Sequence, residues 1–217
     1  MVAVASRLVS LLDRLERAVG PADPLPATDG WELVLRENVA YLVDDQTRDR
    51  CFRRLRTTIG LEPGAILAAT DDELAAVVAG MRPSERVERL RRCAQLRLDD
   101  APWRAYPGIG RPGVERIELF SGRRAVLALE SNGARALYRL GYGDRRPSYD
   151  AAYRSIQAAA SVELPADVGV LQRAHQLLRR HGQTLCTRSA PDCERCPLSS
   201  TCPTARGDRP RTDPFTK

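Results

Sequence analysis

The sequence predicts an all-α fold. Apolar residues recur at helical spacing through most of the 217 residues, and strand signals are weak throughout. Hydrophobic residues make up 43% of the chain, which is enough to form a core and too many for a disordered chain. Glycine or proline follows several helical segments, as expected where helices stop.

The helical segments can be placed in chain order. An apolar stripe from Val4 to Val19 is followed by Gly20-Pro21 and a proline-rich link. The run 125–130 is the only short strand candidate, and we interpret it as an extended connector. We therefore predict helices at 4–19, 31–43, 45–59, 63–69, 71–79, 87–98, 111–121, 132–140, 149–160 and 166–180.

The composition favours an anionic partner. The formal net charge is +6 and the isoelectric point is near 9.3, which fits a polyanion such as nucleic acid, although a generic basic surface gives the same values. Lys217 is the only lysine. Arginine stays protonated and cannot form a Schiff base, so the composition excludes most lysine chemistry.

The sequence predicts a cytoplasmic protein. No apolar run is long enough to cross a membrane, and the N-terminus lacks the pattern of a secretory signal.

Four cysteines crowd into the C-terminal part of the chain, at the spacing Cys186-x6-Cys193-x2-Cys196-x5-Cys202. Without a secretion signal, such a group predicts a metal site rather than disulfide bonds. Zinc and a [4Fe-4S] cluster both accept four thiolates, although zinc sites more often use two Cys-x2-Cys pairs. The other cysteines, Cys51 and Cys93, lie on predicted helices and are interpreted as small core residues.

The cysteine-rich segment resembles a loop of known proteins. From His181 to Leu198 the sequence is similar to the cluster loop of endonuclease III and the mismatch adenine glycosylases, which belong to the helix-hairpin-helix (HhH-GPD) DNA glycosylase superfamily. The cysteine spacing matches at every step. The resemblance implies a [4Fe-4S] cluster on the four cysteines, with zinc as the alternative. It also implies that Arg188 and Arg195 contact DNA phosphate, unless they are plain solvated surface.

A glycine-containing turn joins two predicted helices at Tyr106-Pro107-Gly108-Ile109-Gly110-Arg111. The glycines permit a tight turn and a close backbone approach to a phosphate, and the next helix begins with N–H groups directed at that phosphate. The turn resembles the Leu-Pro-Gly-Val-Gly-Arg hairpin of the same superfamily. The resemblance implies that this hairpin binds DNA without reading its sequence, through Pro107, Gly108, Ile109, Gly110 and Arg111.

The resemblance also implies a two-domain helical glycosylase fold. Residues 29–140 would form the helical domain with the hairpin, and residues 1–28 with 141–203 would form the iron–sulfur domain. Double-stranded DNA would lie across the cleft between them with one nucleotide flipped out, and the protein would act as a monomer. We expect the polar segment 204–217 to be disordered.

The residue after the hairpin arginine argues against one mechanism. Bifunctional members of the superfamily place a lysine there, which attacks the sugar and permits strand cleavage. This chain has Pro112 at that position, and no internal lysine elsewhere could replace it. The resemblance therefore implies a monofunctional enzyme. In such an enzyme water attacks the sugar, and a carboxylate stabilises the oxocarbenium-like transition state, as in glycoside hydrolysis.

Glu130 is the candidate for that carboxylate. The segment from Leu129 to Arg135 resembles the one that carries the catalytic aspartate, with Glu130 in the aspartate's place. Asn132 matches an asparagine of the adenine glycosylases, and we expect it to contact DNA. The extra methylene of glutamate would reposition the water or abolish activity. Alternatively, Glu130 only caps the helix that follows.

Glu37 is the candidate general acid. Its apolar helix resembles the one that bears the acid in the mismatch adenine glycosylases. A carboxyl group partly buried there would have a raised pKa and could donate a proton near neutral pH. Alternatively, Glu37 forms a surface pair with Arg36 or Tyr41.

Apolar and aromatic residues lie near these motifs. In endonuclease III a glutamine on the matching helix fills the gap in the duplex, and here that position holds Leu42 or Val43, so gap filling would be apolar or done by another loop. Each of three aromatic residues either stacks on a flipped base or belongs to the core: Tyr41, Trp31 and Trp103.

Three hypotheses follow. The leading one is a monofunctional DNA N-glycosylase of base excision repair that removes a damaged or mispaired base, with Glu130 stabilising the sugar cation and Glu37 as the acid. The second is a DNA-binding protein that retains the fold and the cluster without catalysis, which Pro112 and Glu130 both favour. The third is a redox-responsive DNA binder.

Overall fold

A computed structural model describes residues 6–21, 24–27, 29–209 and 215. The regular secondary structure of the described residues is almost all helix, with only two short strands, which confirms the predicted all-α fold. The Val4 end of the first predicted helix lies outside the described residues. The helices are α1 Arg7–Val19, α2 Gly30–Asn38, α3 Asp45–Thr58, α4 Pro63–Ala68, α5 Asp71–Val77, α6 Pro83–Leu98, α7 Arg111–Phe120, α8 Ser131–Arg139, α9 Tyr149–Ser161, α10 Val168–Thr184 and α11 Pro203–Arg206.

Polar side chains at their N-termini start most of these helices. A side-chain oxygen of each capping residue accepts a hydrogen bond from a first-turn N–H, which would otherwise lack a partner. The side-chain caps are Ser6, Asp29, Asp44, Thr70, Glu130, Ser148 and Asp167.

None of the described helices is both long enough and apolar enough to cross a membrane.

The helix predicted over 31–43 ends early. α2 stops at Asn38, and the chain then forms the short strand β1 Ala40–Tyr41, which pairs in parallel with β2 Ala79–Gly80. The Asn38 side chain donates a hydrogen bond to the Pro107 carbonyl, so a distant loop fixes the end of this helix. Strands of two residues show no alternation of polar and apolar residues, and the sequence pattern therefore missed them.

The contacts divide the chain into two compact units. The hairpin unit is Leu25–Ser121, and the cysteine unit is Met1–Pro24 with Gly122–Lys217. The sequence-based division placed the boundary at 140 instead. Residues 122–140 group with the cysteine unit because α8 packs along α10.

The hairpin unit has a core built around α6, against which α2, α4 and α5 pack. Cys93 is fully buried there, as predicted, and Cys51 on α3 is half-buried. Other fully buried side chains of this unit are Val34, Leu35, Phe52, Leu55, Ile66, Leu74 and Leu90.

The cysteine unit is built around α10, which contacts α8 along its length and also α1. Gly182 permits this packing, because a Cβ on it would lie 2.4 Å from the Asn132 carbonyl oxygen. The predicted connector 125–130 is extended and leads into α8. Fully buried side chains of this unit include Leu8, Leu15, Leu137, Tyr153, Ile156, Leu177 and Leu178.

Part of the segment predicted to be disordered is ordered. Thr204 on α11 is buried, and its hydroxyl donates to the Arg139 carbonyl at 3.1 Å. The Arg209 guanidinium lies 3.9 Å from the centre of the Tyr138 ring and donates to a backbone carbonyl. Phe215 is also buried. Residues 210–214, 216 and 217 lie outside the described residues.

Candidate functional site

The hairpin between α6 and α7 exposes backbone at two glycines. Gly108 has φ +73°, a conformation that glycine adopts without strain, and the Ile109 N–H donates to the Tyr106 carbonyl at 3.1 Å. Tyr106 and Ile109 are buried and anchor the turn, whereas Gly108 and Gly110 are exposed. The hairpin therefore has the shape that close approach to a phosphate requires.

α7 begins directly after this turn. Gly110 occupies the capping position and forms no side-chain cap, unlike most of the described N-termini. Pro112 fits in the first turn because an N–H there has no partner within the helix. Arg111 opens the helix, so a basic residue, backbone N–H groups and the positive end of the helix dipole meet at one end.

Two residues that the sequence analysis missed support the hairpin. Asn38 is buried, and its Nδ2 donates to the carbonyls of Val34 at 3.1 Å and Pro107 at 3.0 Å. Arg89 on α6 lies beside Gly108, with its Nη1 3.6 Å from the position that a Cβ on this glycine would take. A buried amide in an apolar helix is the one sequence signal that could have identified Asn38.

Glu37 is held by two arginines from other helices. Its Oε2 accepts hydrogen bonds from Arg48 at 3.2 Å and from Arg116 at 2.9 Å. Arg36, which the sequence analysis considered as an alternative partner of Glu37 together with Tyr41, binds Asp49. Two guanidinium groups thus fix this carboxylate oxygen within the hairpin unit, and the role of Glu37 as an acid stays a prediction.

Glu130 is fixed at the start of α8. Its Oε1 accepts from the Gly133 N–H at 2.7 Å, which makes it the helix cap that the sequence analysis kept as an alternative. Its Oε2 accepts from the Asn132 amide at 2.8 Å and lies 3.1 Å from Arg179 Nη1. The carboxylate therefore sits at the positive end of a helix dipole and against a guanidinium. Its side chain is 16% exposed.

The Asn132 side chain bonds to protein groups at both ends. Its Nδ2 binds Glu130, and its Oδ1 accepts from Arg135 Nη2 at 2.8 Å. These two bonds fix the orientation of the Asn132 amide, and its contact with DNA stays a prediction. Arg135 is buried and also donates to the carbonyls of Gly182 and Cys186, so it links α8 to the cysteine loop.

The connector before Glu130 is held from two sides. The Leu129 N–H donates to the Tyr153 hydroxyl at 3.1 Å. His175 Nδ1 lies 2.8 Å from the Ala128 carbonyl oxygen. Both contacts are buried, so the connector delivers Glu130 to a defined position.

The four predicted ligands line one cavity between α8, α10 and the C-terminal loop, together with His181 and Arg139. In the described part of the chain, no three Cys, His, Asp or Glu side chains converge closely enough to hold a single metal ion. The lining sulfurs are Cys186, Cys193, Cys196 and Cys202.

Arg139 holds the cysteine loop from inside. Its side chain is fully buried and donates to the carbonyls of Thr187 at 2.7 Å and Arg188 at 2.9 Å. Its Nη1 also lies 3.4 Å from Cys186 Sγ. The sequence analysis missed this residue, because an arginine near the end of an amphipathic helix usually lies on the surface.

Burial controls protonation in this cavity. It raises the pKa of the Cys186 thiol, an effect that Arg139 opposes, and raises the pKa of Cys196 to about 11. Burial, with Arg135 and Arg139 nearby, lowers the pKa of His181 to about 4. Burial therefore disfavours the thiolate forms of Cys186 and Cys196, and a bound cation would offset this cost.

The two arginines expected to meet phosphate lie on the loop's surface. Arg188 is exposed, and its carbonyl accepts from Arg139. Arg195 is 81% exposed and lies 3.5 Å from Asp192. Neither is fixed strongly, and their contact with DNA stays a prediction.

Of the three aromatic candidates, Trp31 and Trp103 pack against other residues of the hairpin unit, whereas Tyr41 is largely exposed. Trp31 is buried, and its Nε1 donates to the Leu61 carbonyl at 2.7 Å, so it belongs to the core. Trp103 packs against Tyr106 with ring centres 5.5 Å apart. Tyr41 is 45% exposed, with the Arg86 guanidinium over its ring.

The fold is that of known DNA glycosylases. A trapped endonuclease III–DNA covalent intermediate and a non-covalent endonuclease III–DNA complex each superpose with a TM-score of 0.73 at 15% identity, covering 93% of this chain and 96% of theirs. A thermostable thymine-DNA glycosylase gives a TM-score of 0.70 at 15% identity, covering 92% of this chain and 95% of its own. No family model and no curated protein matches the sequence. The predicted HhH-GPD glycosylase fold is confirmed.

Proposed function

We propose that this protein is a monofunctional DNA N-glycosylase that removes a damaged or mispaired base from duplex DNA. The observation that carries the proposal is the Glu130 carboxylate, held by three polar groups at the start of α8 in a glycosylase fold. In this proposal the protein acts in the cytoplasm as a monomer and binds a flipped nucleotide.

The hairpin supplies the contact with DNA. Exposed glycine backbone and the uncapped start of α7 suit a phosphate, and Arg89 adds a positive charge beside Gly108. Such contacts position a protein on DNA without reading sequence, which suits an enzyme that searches for rare bases. The net charge of +6 supports this binding.

The reaction breaks the bond between the sugar and the base, and water adds to the sugar carbon. Glu130 would stabilise the positive charge that develops on the sugar as the base leaves. Water is the nucleophile because Pro112 stands in the place of the lyase lysine. Glu37 would protonate the departing base only if Arg48 and Arg116 moved away from its Oε2.

In this proposal a [4Fe-4S] cluster occupies the cysteine cavity, with zinc as the alternative. Zinc needs all its sulfurs about 2.3 Å from one point, whereas a cluster distributes four thiolates over separate iron atoms. The four cysteines line one cavity without converging on one point. Bound there, the cluster would hold the loop that carries Arg188 and Arg195, while Arg139 and Arg135 hold its backbone.

The test is base release under single-turnover conditions. The cluster-loaded protein is mixed with duplexes that carry alkylated, deaminated, oxidised or mismatched bases, and alkali reveals abasic sites. Glu37→Gln is run in parallel, and loss of release in this variant would support its role as the acid. We expect release from at least one duplex without strand cleavage before alkali. Cleavage without alkali would contradict a monofunctional enzyme.

A second candidate is a DNA-binding protein without catalysis. The observation in its favour is that the cap, Asn132 and Arg179 already occupy the Glu130 oxygens. It predicts tight binding to damaged duplexes with no release from any of them.

The hairpin gives the first variant prediction. Gly108→Ala would place a methyl group where the backbone approaches phosphate, and we expect the Kd for duplex DNA to rise about tenfold. Gly122→Ala is the matched control, because Gly122 has a similar φ of +71° and no atom lies within 4 Å of the place its methyl group would take. Equal effects of the two changes on Kd, measured by fluorescence anisotropy, would show that strain rather than phosphate contact is responsible.

The residues that would fill the gap left by a flipped nucleotide give the second variant prediction. Leu42 is 68% exposed with φ +54°, and Met81 is 53% exposed directly after the paired strand β2. Because Tyr41 pairs with Gly80, the two apolar side chains follow neighbouring strands. We expect Leu42→Ala with Met81→Ala to weaken binding to an abasic duplex about tenfold and to an intact duplex far less.

Leu98→Ala is the control for this pair, since Leu98 is an exposed leucine (59%) on α6. Electrophoretic mobility shifts on the two duplexes measure the effect. An equal loss of affinity on intact and abasic DNA would contradict gap filling by these residues.

A further inference from the structure

Three aromatic rings form a row in the cysteine unit. Tyr149 and Tyr153, one turn apart on α9, lie nearly parallel with ring centres 6.4 Å apart. Phe215 lies edge-on to Tyr149 with ring centres 5.0 Å apart. Phe215 therefore packs against Tyr149, the more exposed of the two tyrosines.

The row begins at the segment that carries Glu130. The Tyr153 hydroxyl accepts the N–H of Leu129, the residue before Glu130. Burial and the nearby Glu130 carboxylate raise the pKa of Tyr149. Through its stacking on Tyr153, Tyr149 is also linked by direct contacts to the connector that ends at Glu130, within the same unit.

Exposure distinguishes the three rings. Tyr153 is fully buried and Phe215 is 8% exposed, whereas Tyr149 remains 43% exposed. A purely structural role explains the two buried rings. It does not explain an open tyrosine face beside a charged carboxylate, with a phenylalanine from the end of the chain packed against it.

We propose that Tyr149, supported by Phe215, forms an aromatic wall of the nucleotide site beside Glu130, against which the deoxyribose of a flipped nucleotide packs. The proposal rests on the proposed function and assigns part of its site to the C-terminal segment. Aromatic faces stack well on nucleotides without sequence preference, because their contact area is large and rigid. Tyr149 would bind the sugar, and Glu130 would stabilise the charge that forms on it.

The test uses two abasic duplexes and the full chain. One carries a neutral tetrahydrofuran in place of a nucleotide, and the other carries a cationic pyrrolidine that resembles the charged transition state. We expect Tyr149→Ala to weaken binding to both about fivefold, the lower end of the loss for an aromatic contact to a base, because a sugar offers less contact area than a base. Phe215→Ala should shift both in the same direction by a smaller factor, and Tyr149→Phe should bind normally.

Undamaged duplex and Val162→Ala are the controls. Val162 is 85% exposed at the end of α9, and Val162→Ala should leave the affinity for both abasic duplexes unchanged. Tyr149→Ala should leave the affinity for undamaged duplex unchanged, because that duplex has no flipped nucleotide. If Tyr149→Ala does not fold, the affinity of Phe215→Ala for the two abasic duplexes decides the test. Unchanged binding to both abasic duplexes in Tyr149→Ala and Phe215→Ala would overturn the wall, and so would tighter binding, which would make Phe215 a plug.

Glu130→Gln separates this proposal from the proposed function. Loss of the preference for the cationic duplex in that variant supports the charge-stabilising role of Glu130. If the preference persists while Tyr149→Ala weakens both duplexes, the catalytic role of Glu130 fails and the wall stands.

Discussion

Glu130→Gln should abolish most base release, with a single-turnover rate at least about 100-fold lower on the best duplex. Glutamine keeps an oxygen that can accept the Gly133 N–H, so the cap of α8 survives. What is lost is the negative charge that would face the developing sugar cation. Rapid-quench measurement of abasic sites gives the rate, and urea unfolding checks that the fold is intact.

Two further variants bracket this result. Glu130→Asp keeps the charge and remains a good helix cap, so it should retain most release. Glu62→Gln changes an exposed glutamate that makes no side-chain cap and should behave as the original protein. A Glu130→Gln rate within about threefold of the original would remove Glu130 from the chemistry, since charge stabilisation of a transition state is worth far more.

Arg139→Met should disrupt the ordered structure of the cysteine loop. Methionine has a similar length and no N–H group, so the carbonyls of Thr187 and Arg188 would lose these donors. We expect the free energy of unfolding to fall by about 3 kcal/mol or more, since hydrogen bonds to a buried charge are among the strongest. Bound iron and sulfide per chain should fall with it.

Arg145→Met is the matched control, because Arg145 is an exposed arginine of the same unit. Arg139→Lys keeps the charge with fewer donors and should lie between the two, which preserves a comparison if Arg139→Met does not fold. Urea unfolding and iron analysis of all three are the measurements. Full iron content and unchanged unfolding in Arg139→Met would show that the loop holds itself.

Helical periodicity predicted the fold well because most of these helices have an apolar stripe of their own. The end of α2 could not be predicted in the same way. It depends on Asn38 meeting the carbonyl of Pro107, and the strand after it depends on a partner near residue 79. Such boundaries belong to tertiary contacts and leave no local pattern.

The candidate site divides along the same line. Cysteine spacing and the glycine turn are local signals. The structure places the four cysteines around one cavity and the glycine turn between α6 and α7, and the roles of both stay predictions. The partners of Glu37 are Arg48 on α3 and Arg116 on α7, and no pattern around Glu37 predicts them. Arg135 and Arg139 were missed because helical arginines are usually solvated, whereas here the cysteine loop covers them.

The absence of a side chain at position 182 has a mechanical consequence. α10 can lie against the Asn132 backbone only because nothing separates them there, and a Cβ would force the two helices apart. α8 carries Glu130 at one end and Arg139 at the other, so this seam transmits any displacement of α10 to both the acidic residue and the loop. Glu130 and Arg139 are thus carried by the same helix, and a substitution that separates α8 from α10 at Gly182 would displace both residues together.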